Sequence, residues 1–318
     1  MLTAPTGSTG WGHKTLLDEI NGRRSHADMD EHVEKTRSWD EMPADCLVSI
    51  FSHLPLDDLA ISVPFVCKSW RRTSTDASCW KLLNFQDLNF LPWSNFATRF
   101  IIQFSSSSSL SPPTLPSSFS FSGFMKLAVA RSQRSAVELR FPRSFGPSFQ
   151  DLLYASNECP RLRVLRMPDL SVDDEVHIPE LVGKWRELES LDLETKPSTF
   201  LRMVSEISSN CKNFTALTMS GSIKNEDAIA MANSLPELKF LELRKSYVTK
   251  KALMAIMNGC KNLERLSVRD CLGFEPDEEV LRKGSDIEHF EHEGSKLLDD
   301  NGYETDEADL HHGYFLFI

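Results

Sequence analysis

The segment Leu162-Arg-Val-Leu165-Arg-Met167 has the pattern L-x-x-L-x-L, and near copies of it recur along most of the chain. The middle leucine advances by 26, 26, 26, 24 and 25 residues from one copy to the next. The other copies are Val137-Glu-Leu139-Arg-Phe141 (weaker at its opening position), Leu188-Glu-Ser-Leu191-Asp-Leu193, Phe214-Thr-Ala-Leu217-Thr-Met219, Leu238-Lys-Phe-Leu241-Glu-Leu243, Leu263-Glu-Arg-Leu266-Ser-Val268 and a degenerate Ile287-Glu-His-Phe290. Such a constant period predicts that each copy belongs to one repeating structural unit.

Helical patterns occupy the stretches between these segments. They cover Phe149–Cys159, Phe200–Ser209, Asp227–Ser234 and Lys251–Asn258. A strand followed by a helix at a fixed period is typical of a solenoid, in which the leucines of successive coils stack into one continuous core. We therefore predict an α/β fold whose solenoid spans residues 136–295, with a parallel sheet on its concave face and helices on its convex face.

The residues that alternate with the inward leucines should line the open concave sheet. This surface is curved, mixed in charge and carries an exposed aromatic ring, which suits a protein partner. We predict target binding by Arg166, Asp192, Thr218, Phe240, Glu242, Arg244, Arg265, Ser267 and Arg269. The same strip includes Arg140, Val164, Ser190, Glu194 and Ala216. The alternative is an ordinary solvated sheet face.

Short apolar helices precede the repeats, between residues 39 and 85. Leu47, Ile50, Phe51 and Leu54 recur at helical spacing after Pro43, and Pro55 ends that helix. A second short helix opens at Leu56-Asp-Asp-Leu59 and a third at Pro64, and Asp76 can cap a further turn. Helices this short and this apolar must pack on one another, on a partner, or on both.

The segment that runs from Trp39-Asp-Glu-Met-Pro43 to Leu59, followed by Val66-Cys-Lys-Ser-Trp70-Arg and Cys79-Trp-Lys-Leu-Leu83, resembles an F-box. The repeats resemble the cysteine-containing leucine-rich repeats that follow F-boxes, most closely those of plant proteins. The resemblance implies an F-box that binds the Skp-type adaptor of an SCF cullin-RING ubiquitin ligase, and repeats that select a target protein for ubiquitination. Met42 departs from the family pattern, which usually has leucine there.

The resemblance also implies a set of adaptor-binding positions. These are the apolar positions of the motif, occupied here by Pro43, Leu47, Ile50, Leu54, Leu59, Val66 and Trp70. Some of them should face the adaptor and others the core of the F-box itself. For Trp70 the sequence leaves both roles open.

The remaining segments have the composition of linkers and extensions. Residues 1–38 lack a sustained apolar period and are predicted to form a disordered N-terminal extension. Residues 86–135 are predicted to form a connector that contains a Ser/Pro-rich loop at 105–122. Residues 296–318 are predicted to form an acidic C-terminal tail. The tail is either solvated or a docking segment for a basic partner.

The net charge of −11 is confined to one end of the chain, since Glu275 to Ile318 contain 14 acidic and 3 basic residues. The rest of the chain balances to zero and has no basic stripe for a nucleic acid. Without an apolar segment of transmembrane length or a signal-peptide core, we expect an intracellular soluble protein of the nucleus, the cytoplasm or both.

We expect no cofactor, no metal and no catalytic role. The seven cysteines contain no C-x-x-C pair. Cys159, Cys211 and Cys260 occupy a repeat position that Trp185 and Leu235 fill in other coils, so this position is apolar and its thiols should be buried. Phosphate-loop, dinucleotide, zinc-protease and nucleophile-elbow motifs are absent from the sequence.

The sequence leaves two alternatives to a ligase subunit. One is a protein that uses the same adaptor contact outside ubiquitin transfer. The other is a leucine-rich-repeat interaction scaffold whose N-terminal helices only cap the solenoid.

Overall fold

The computed structural model describes residues 39–91, 93–105, 119–142, 147–168 and 170–297. The predicted N-terminal extension, most of the Ser/Pro-rich loop and all but the first residues of the predicted acidic tail lie outside the described residues.

Eight parallel strands form one sheet in strict chain order, each hydrogen-bonded to the next. The central leucines share one register from Leu83 through Leu139 to Leu266, and Phe290 takes the same position in the last strand. The strands are β1 (Leu82–Asn84), β2 (Glu138–Arg140), β3 (Val164–Arg166), β4 (Ser190–Asp192), β5 (Ala216–Ile223), β6 (Phe240–Val248), β7 (Arg265–Ser267) and β8 (His289–Glu291). The predicted repeat register is therefore confirmed, including the degenerate seventh copy.

The stacked leucines are the spine of the core. From Leu83 to Leu266 every central leucine is between 0 and 1% exposed. Burial of one leucine side chain contributes roughly 2 kcal/mol, so the sheet is stabilised by the repetition of one apolar contact from coil to coil.

Helices connect the strands, and neighbouring helices pack side by side along the stack of coils. The four helices predicted from the repeat pattern are confirmed as α5, α8, α9 and α10. The helices are α1 (Ala44–Phe51), α2 (Lys68–Thr73), α3 (Asn95–Ser105), α4 (Phe121–Arg131), α5 (Phe149–Glu158), α6 (Val172–Glu175), α7 (Ile178–Val182), α8 (Phe200–Asn210), α9 (Asn225–Ser234), α10 (Lys250–Gly259) and α11 (Glu278–Gly284).

The N-terminal unit is built from short helical turns, as the sequence predicts, but its third helix begins later than expected. Pro64 lies in a 3-10 turn at Val63–Phe65, and α2 starts only at Lys68. The cause is a local cap, because the Cys67 thiol accepts a hydrogen bond from the Trp70 backbone N–H. The expected cap at Asp76 is present, and its carboxylate accepts from the Ser78 N–H.

The chain passes from the F-box-like unit into the sheet with no linker between them. The 3-10 turn Ala77–Trp80 is followed at Leu82 by β1, which the repeat template does not predict. The region after β1 folds into α3 and α4, whose phenylalanines join Phe85 and Phe90 in an aromatic cluster. The Arg131 guanidinium at the end of α4 lies 4.8 Å from the centre of the Trp80 ring.

Each coil in the second half of the sheet has a positive φ four residues after its central position. The residues are Gly221 within β5, Lys245 within β6, Asp270 after β7 and Gly294 after β8. Beside Asp270, the Cys271 thiol donates to the Leu243 carbonyl and accepts from the Ser246 N–H. These two hydrogen bonds connect Cys271 to β6 in the preceding coil.

Candidate functional site

The first surface of interest is the outer face of α1. Leu47 and Phe51 are buried on one side of this helix, whereas Ile50 is 41% exposed on the other. Pro43 occupies the N-cap position with an extended backbone and is exposed, and its carbonyl accepts the first helical hydrogen bond, from the Leu47 N–H. The helix is therefore amphipathic, but its outer side still carries apolar side chains.

The core of the F-box-like unit is filled, and it continues into the core of the sheet. Leu47 and Leu59 are almost fully buried in it, and Phe51 meets Trp70 edge to face with ring centres 5.1 Å apart. The Trp80 indole N–H is also satisfied internally, by the Ser74 carbonyl at 2.7 Å. Among the predicted adaptor-binding residues, Leu47 and Leu59 thus lie in the unit's own core, while Leu54 and Trp70 are partly buried against it.

Apolar side chains remain on the surface of this unit although its core is filled. Val66 is 58% exposed and Phe65, which the sequence analysis did not select, is 42% exposed. The Arg71 guanidinium lies over the Phe65 ring at 5.5 Å and donates to the Pro64 carbonyl. Val66 was selected from the motif, whereas no signal in the sequence separates the exposed Phe65 from its buried neighbours Val63 and Pro64.

The second surface is the open face of the sheet, where charged side chains pair across neighbouring coils. Arg166 donates to Asp192 at 2.8 Å and to Glu194 at 3.0 Å. Asp192 is also paired with Arg244, which reaches it from two strands away. The side chain of Arg166 is only 7% exposed, because these two carboxylates cover it. Arg166 and Asp192 therefore lie on the predicted face but are occupied by each other.

Arg244 can cross β5 because the residues beneath it are small. Thr218 and Ser220 stand on β5 between Asp192 on β4 and Arg244 on β6, in the register of the sheet. The guanidinium also lies 3.8 Å from Glu242 on its own strand. This network fixes the shape of the face from β3 to β6, so a partner meets a preorganised surface.

A cleft of about 540 Å³ opens beside this network, at the carboxyl ends of the strands. Two of its residues, Lys245 and Asp270, are at the positive-φ positions described above. Its lining is Glu194, Ser220, Glu242, Leu243, Arg244, Lys245, Ser267, Arg269, Asp270 and Glu291. Alternation along the strands predicted Glu194, Glu242, Arg244, Ser267 and Arg269 on this face, but it did not predict that Lys245 and Asp270 would line the cleft.

The residues most available to a partner are on β6 and β7. Phe240 is 43% exposed. Arg265 and Arg269 are more than half exposed, and their contacts to Glu291 and Glu293 are long, at 3.7 and 3.5 Å. Ser267, by contrast, is only 6% exposed. An aromatic ring beside the weakly held guanidinium group of Arg265, with that of Arg269 further along the same face, favours contact with a protein surface.

The buried repeat cysteines are unreactive in character. Burial raises the pKa of Cys159 to about 12 and of Cys211 and Cys260 to about 11. This agrees with the apolar position predicted for them. Within the described residues, no group of three or more His, Cys, Asp or Glu side chains is placed to hold a metal ion.

In the described part of the chain, no helix combines the length and the apolar character needed to cross a bilayer.

Comparison with known proteins agrees with this architecture. The family described as F-box-like matches residues 39–86. An Arabidopsis thaliana F-box/LRR-repeat protein is 28% identical over 267 residues, covering 80% of this chain and 81% of the relative. The F-box protein FBW2 of the same plant is 28% identical over 263 residues, covering 80% of this chain and 74% of the relative. A putative F-box/LRR-repeat protein 9 of the same plant is 27% identical over 240 residues, covering 74% and 89%.

An F-box-like unit that leads directly into a parallel stack of leucine-rich coils defines the class of F-box/leucine-rich-repeat proteins. The match to the F-box-like family and the Arabidopsis thaliana relatives support placing this chain with the plant members of that class.

Proposed function

We propose that this chain is the substrate-recognition subunit of an SCF-type cullin-RING ubiquitin ligase. In this proposal the F-box binds the Skp-type adaptor, which connects it to the cullin scaffold, and the repeats hold a target protein for ubiquitination. The chain itself supplies no reacting group. It raises the effective concentration of the target near the ubiquitin-charged enzyme.

The observation that carries this proposal is the surface of the F-box-like unit. Its core is complete, yet Ile50, Phe65 and Val66 remain exposed. Exposed apolar side chains on a small unit are typical of a protein interface. A solenoid cap without a partner would be expected to show polar side chains there.

We assign the predicted adaptor positions to three groups. Pro43, Ile50 and Val66 would contact the adaptor directly, together with Phe65. Leu54 and Trp70 are partly buried and would contribute only their exposed edges. Leu47 and Leu59 belong to the motif but are buried in the core, so they would hold α1 in position rather than contact the adaptor.

The target would bind the open sheet face from β6 to β7. Phe240 would provide the apolar anchor, and Arg265 and Arg269 would exchange their long contacts for carboxylates or carbonyls of the target. The network of Arg166, Asp192 and Arg244 would hold this face in shape rather than contact the target with its full charge.

The adaptor contact is tested with a double substitution, Ile50→Asp/Val66→Asp. Loss of two exposed apolar contacts removes roughly 3 kcal/mol, which predicts at least a hundredfold weaker capture of purified Skp-type adaptor. Leu201 and Ile229 on the repeat helices are 44 and 45% exposed, so Leu201→Asp/Ile229→Asp is a matched control. Equal adaptor capture by both double variants would contradict the proposal.

The same capture experiment from cell extract distinguishes a ligase subunit from a protein that binds the adaptor outside ubiquitin transfer. A ligase subunit brings down adaptor and cullin together. Recovery of the adaptor without cullin would show an assembly outside ubiquitin transfer.

The target surface is tested with Phe240→Ala and Arg269→Glu. We expect each to reduce the recovery of target proteins in affinity purification with the proteasome inhibited, while adaptor recovery is unchanged. Arg202→Glu, an exposed charge reversal on α8, is the control. Unchanged recovery with both variants would place the target site elsewhere.

A further inference from the structure

The last strand of the sheet leaves its outer edge open. Among the described residues, β8 pairs only with β7, and no strand lies on its other side. The His289 N–H donates to Glu264, and the Glu291 and Glu293 carbonyls accept from Val268 and Asp270. In a parallel ladder, alternate residues bond to opposite neighbours. The backbone N–H and C=O of Phe290 therefore point toward the open edge, as does the N–H of His292.

The apolar layer of this coil is also incompletely covered. Phe290 occupies the central leucine position but is only partly buried, whereas its counterpart Leu266 on β7 is 0% exposed. Ile287 is partly buried as well, and Leu281 and Leu297 are 42 and 54% exposed. An additional strand beside β8 would cover these side chains, as each coil covers the one before it.

The acidic charge of the terminal coil determines which kind of segment could pair with β8. The terminal coil begins at Glu275, and from there to Ile318 the chain has 14 acidic and 3 basic residues, while its total net charge is −11. On the terminal strand, the side chains of Glu288 and Glu293 are 73 and 66% exposed. A basic segment is attracted to such a surface and an acidic one is repelled.

We infer that the open edge of β8 is the docking site for a basic, extended segment of the target protein, which adds a ninth strand to the sheet. Its backbone would pair with Phe290 and His292, and lysine or arginine at alternate positions would face Glu291 and Glu293. This inference rests on the proposed function, because it names the chemistry of the target. Backbone pairing supplies affinity in this mode of recognition, and the alternating side chains supply specificity.

Two other occupants of this edge are disfavoured by charge. Residues 298–318 of this chain contain six acidic residues and no lysine or arginine, so they do not complement the terminal coil. A second copy of the chain would bring the same acidic end against itself. Both nevertheless make distinct predictions in the experiment below.

The test uses the full chain in complex with its adaptor and a short synthetic peptide in which lysine alternates with valine and threonine. We expect saturable binding by fluorescence anisotropy, weakened by added salt, and slower hydrogen exchange at the Phe290 and His292 amides. The same peptide with glutamate for lysine should not bind. A version with proline at alternate valines keeps the charge but loses N–H donors, and it should also fail to bind.

Substitutions in the strand separate charge from pairing. Glu291→Gln/Glu293→Gln should weaken peptide binding by about tenfold through the loss of one partly buried and one exposed charge contact. Glu180→Gln/Glu226→Gln on the repeat helices makes the same change in net charge at exposed positions, and it should leave binding unchanged. Binding of the basic peptide without protection of the Phe290 amide would overturn the inference, because it would show only nonspecific attraction.

The remaining outcomes also decide the question. A Phe290 amide that is already protected in the free complex would overturn the inference. Loss of that protection on deleting residues 298–318 would assign the edge to the tail, and loss on dilution would assign it to a second copy. Failure of peptide binding with normal adaptor capture removes this inference alone, whereas failure of adaptor capture removes the proposed function.

Discussion

Truncation of one leucine in the middle of the spine should cost a large part of the stability of the solenoid. Leu217 is 0% exposed and stands in register between Leu191 and Leu241. The change Leu217→Ala removes three buried carbon groups, worth about 2.4 kcal/mol in transfer free energy, and leaves a cavity. Because the coils on both sides are held by their own backbone ladders, the cavity cannot close fully, and we expect a total loss of about 3–4 kcal/mol.

Urea unfolding followed by tryptophan fluorescence measures this loss. Trp185, which is fully buried six residues before Leu191 in the same coil, reports on this part of the stack. The matched control is Leu201→Ala on α8, where the leucine is 44% exposed and the expected cost is below about 1 kcal/mol. If the two variants lost the same free energy of unfolding, the continuous leucine spine would not be the main source of stability.

Three further predictions concern packing and the buried thiols. Gly259→Ala would place its Cβ 2.1 Å from that of Ala232, so we expect it to lower the free energy of unfolding by about 1–3 kcal/mol, measured with urea. The control is Gly123→Ala, whose Cβ would have its nearest neighbour at 3.6 Å and which should be nearly neutral. In the native chain, a thiol reagent at pH 8 should modify the exposed Cys46 rapidly and Cys159 only on unfolding, because burial raises the pKa of Cys159 to about 12. A raised thiol pKa in the folded state stabilises the fold below the thiol's ordinary pKa near 9, and this contribution is lost as the pH rises through about 11–12. The urea concentration at the unfolding midpoint should therefore fall above pH 9. A midpoint that stays constant or rises above pH 9 would contradict this prediction.

The repeat register was predictable because it depends on a single physical period. From Leu139 to Leu266 each central leucine makes the same contact, so the same pattern appears in the sequence each time. Strand β1 was not predictable in this way. Leu83 lies 56 residues before Leu139, and its strand is followed by two helices held by a phenylalanine cluster rather than by a repeated helical stripe.

The candidate surfaces were predictable in position but not in availability. Alternation placed Arg166 correctly on the open sheet face, yet its two carboxylate partners lie 26 and 28 residues further along the chain and cover it. In the F-box-like unit, the apolar stripe identified Leu47 and Ile50 together. Only the packing of α1 shows that the first is enclosed and the second is not.

The direct passage from the 3-10 turn Ala77–Trp80 into β1 has a geometric consequence. Neighbouring strands lie about 4.8 Å apart, so the seven intervals from β1 to β8 span about 34 Å. The F-box-like unit is held to the sheet by hydrogen bonds. Ser135 donates to the Ala77 carbonyl, and the Val137 N–H donates to the Lys81 carbonyl. The distance between the two ends of the sheet is therefore set by the fold. Under the proposed function, a target bound at the far coil would lie at a set distance from the F-box-like unit, and only lysines within reach of that geometry would be modified.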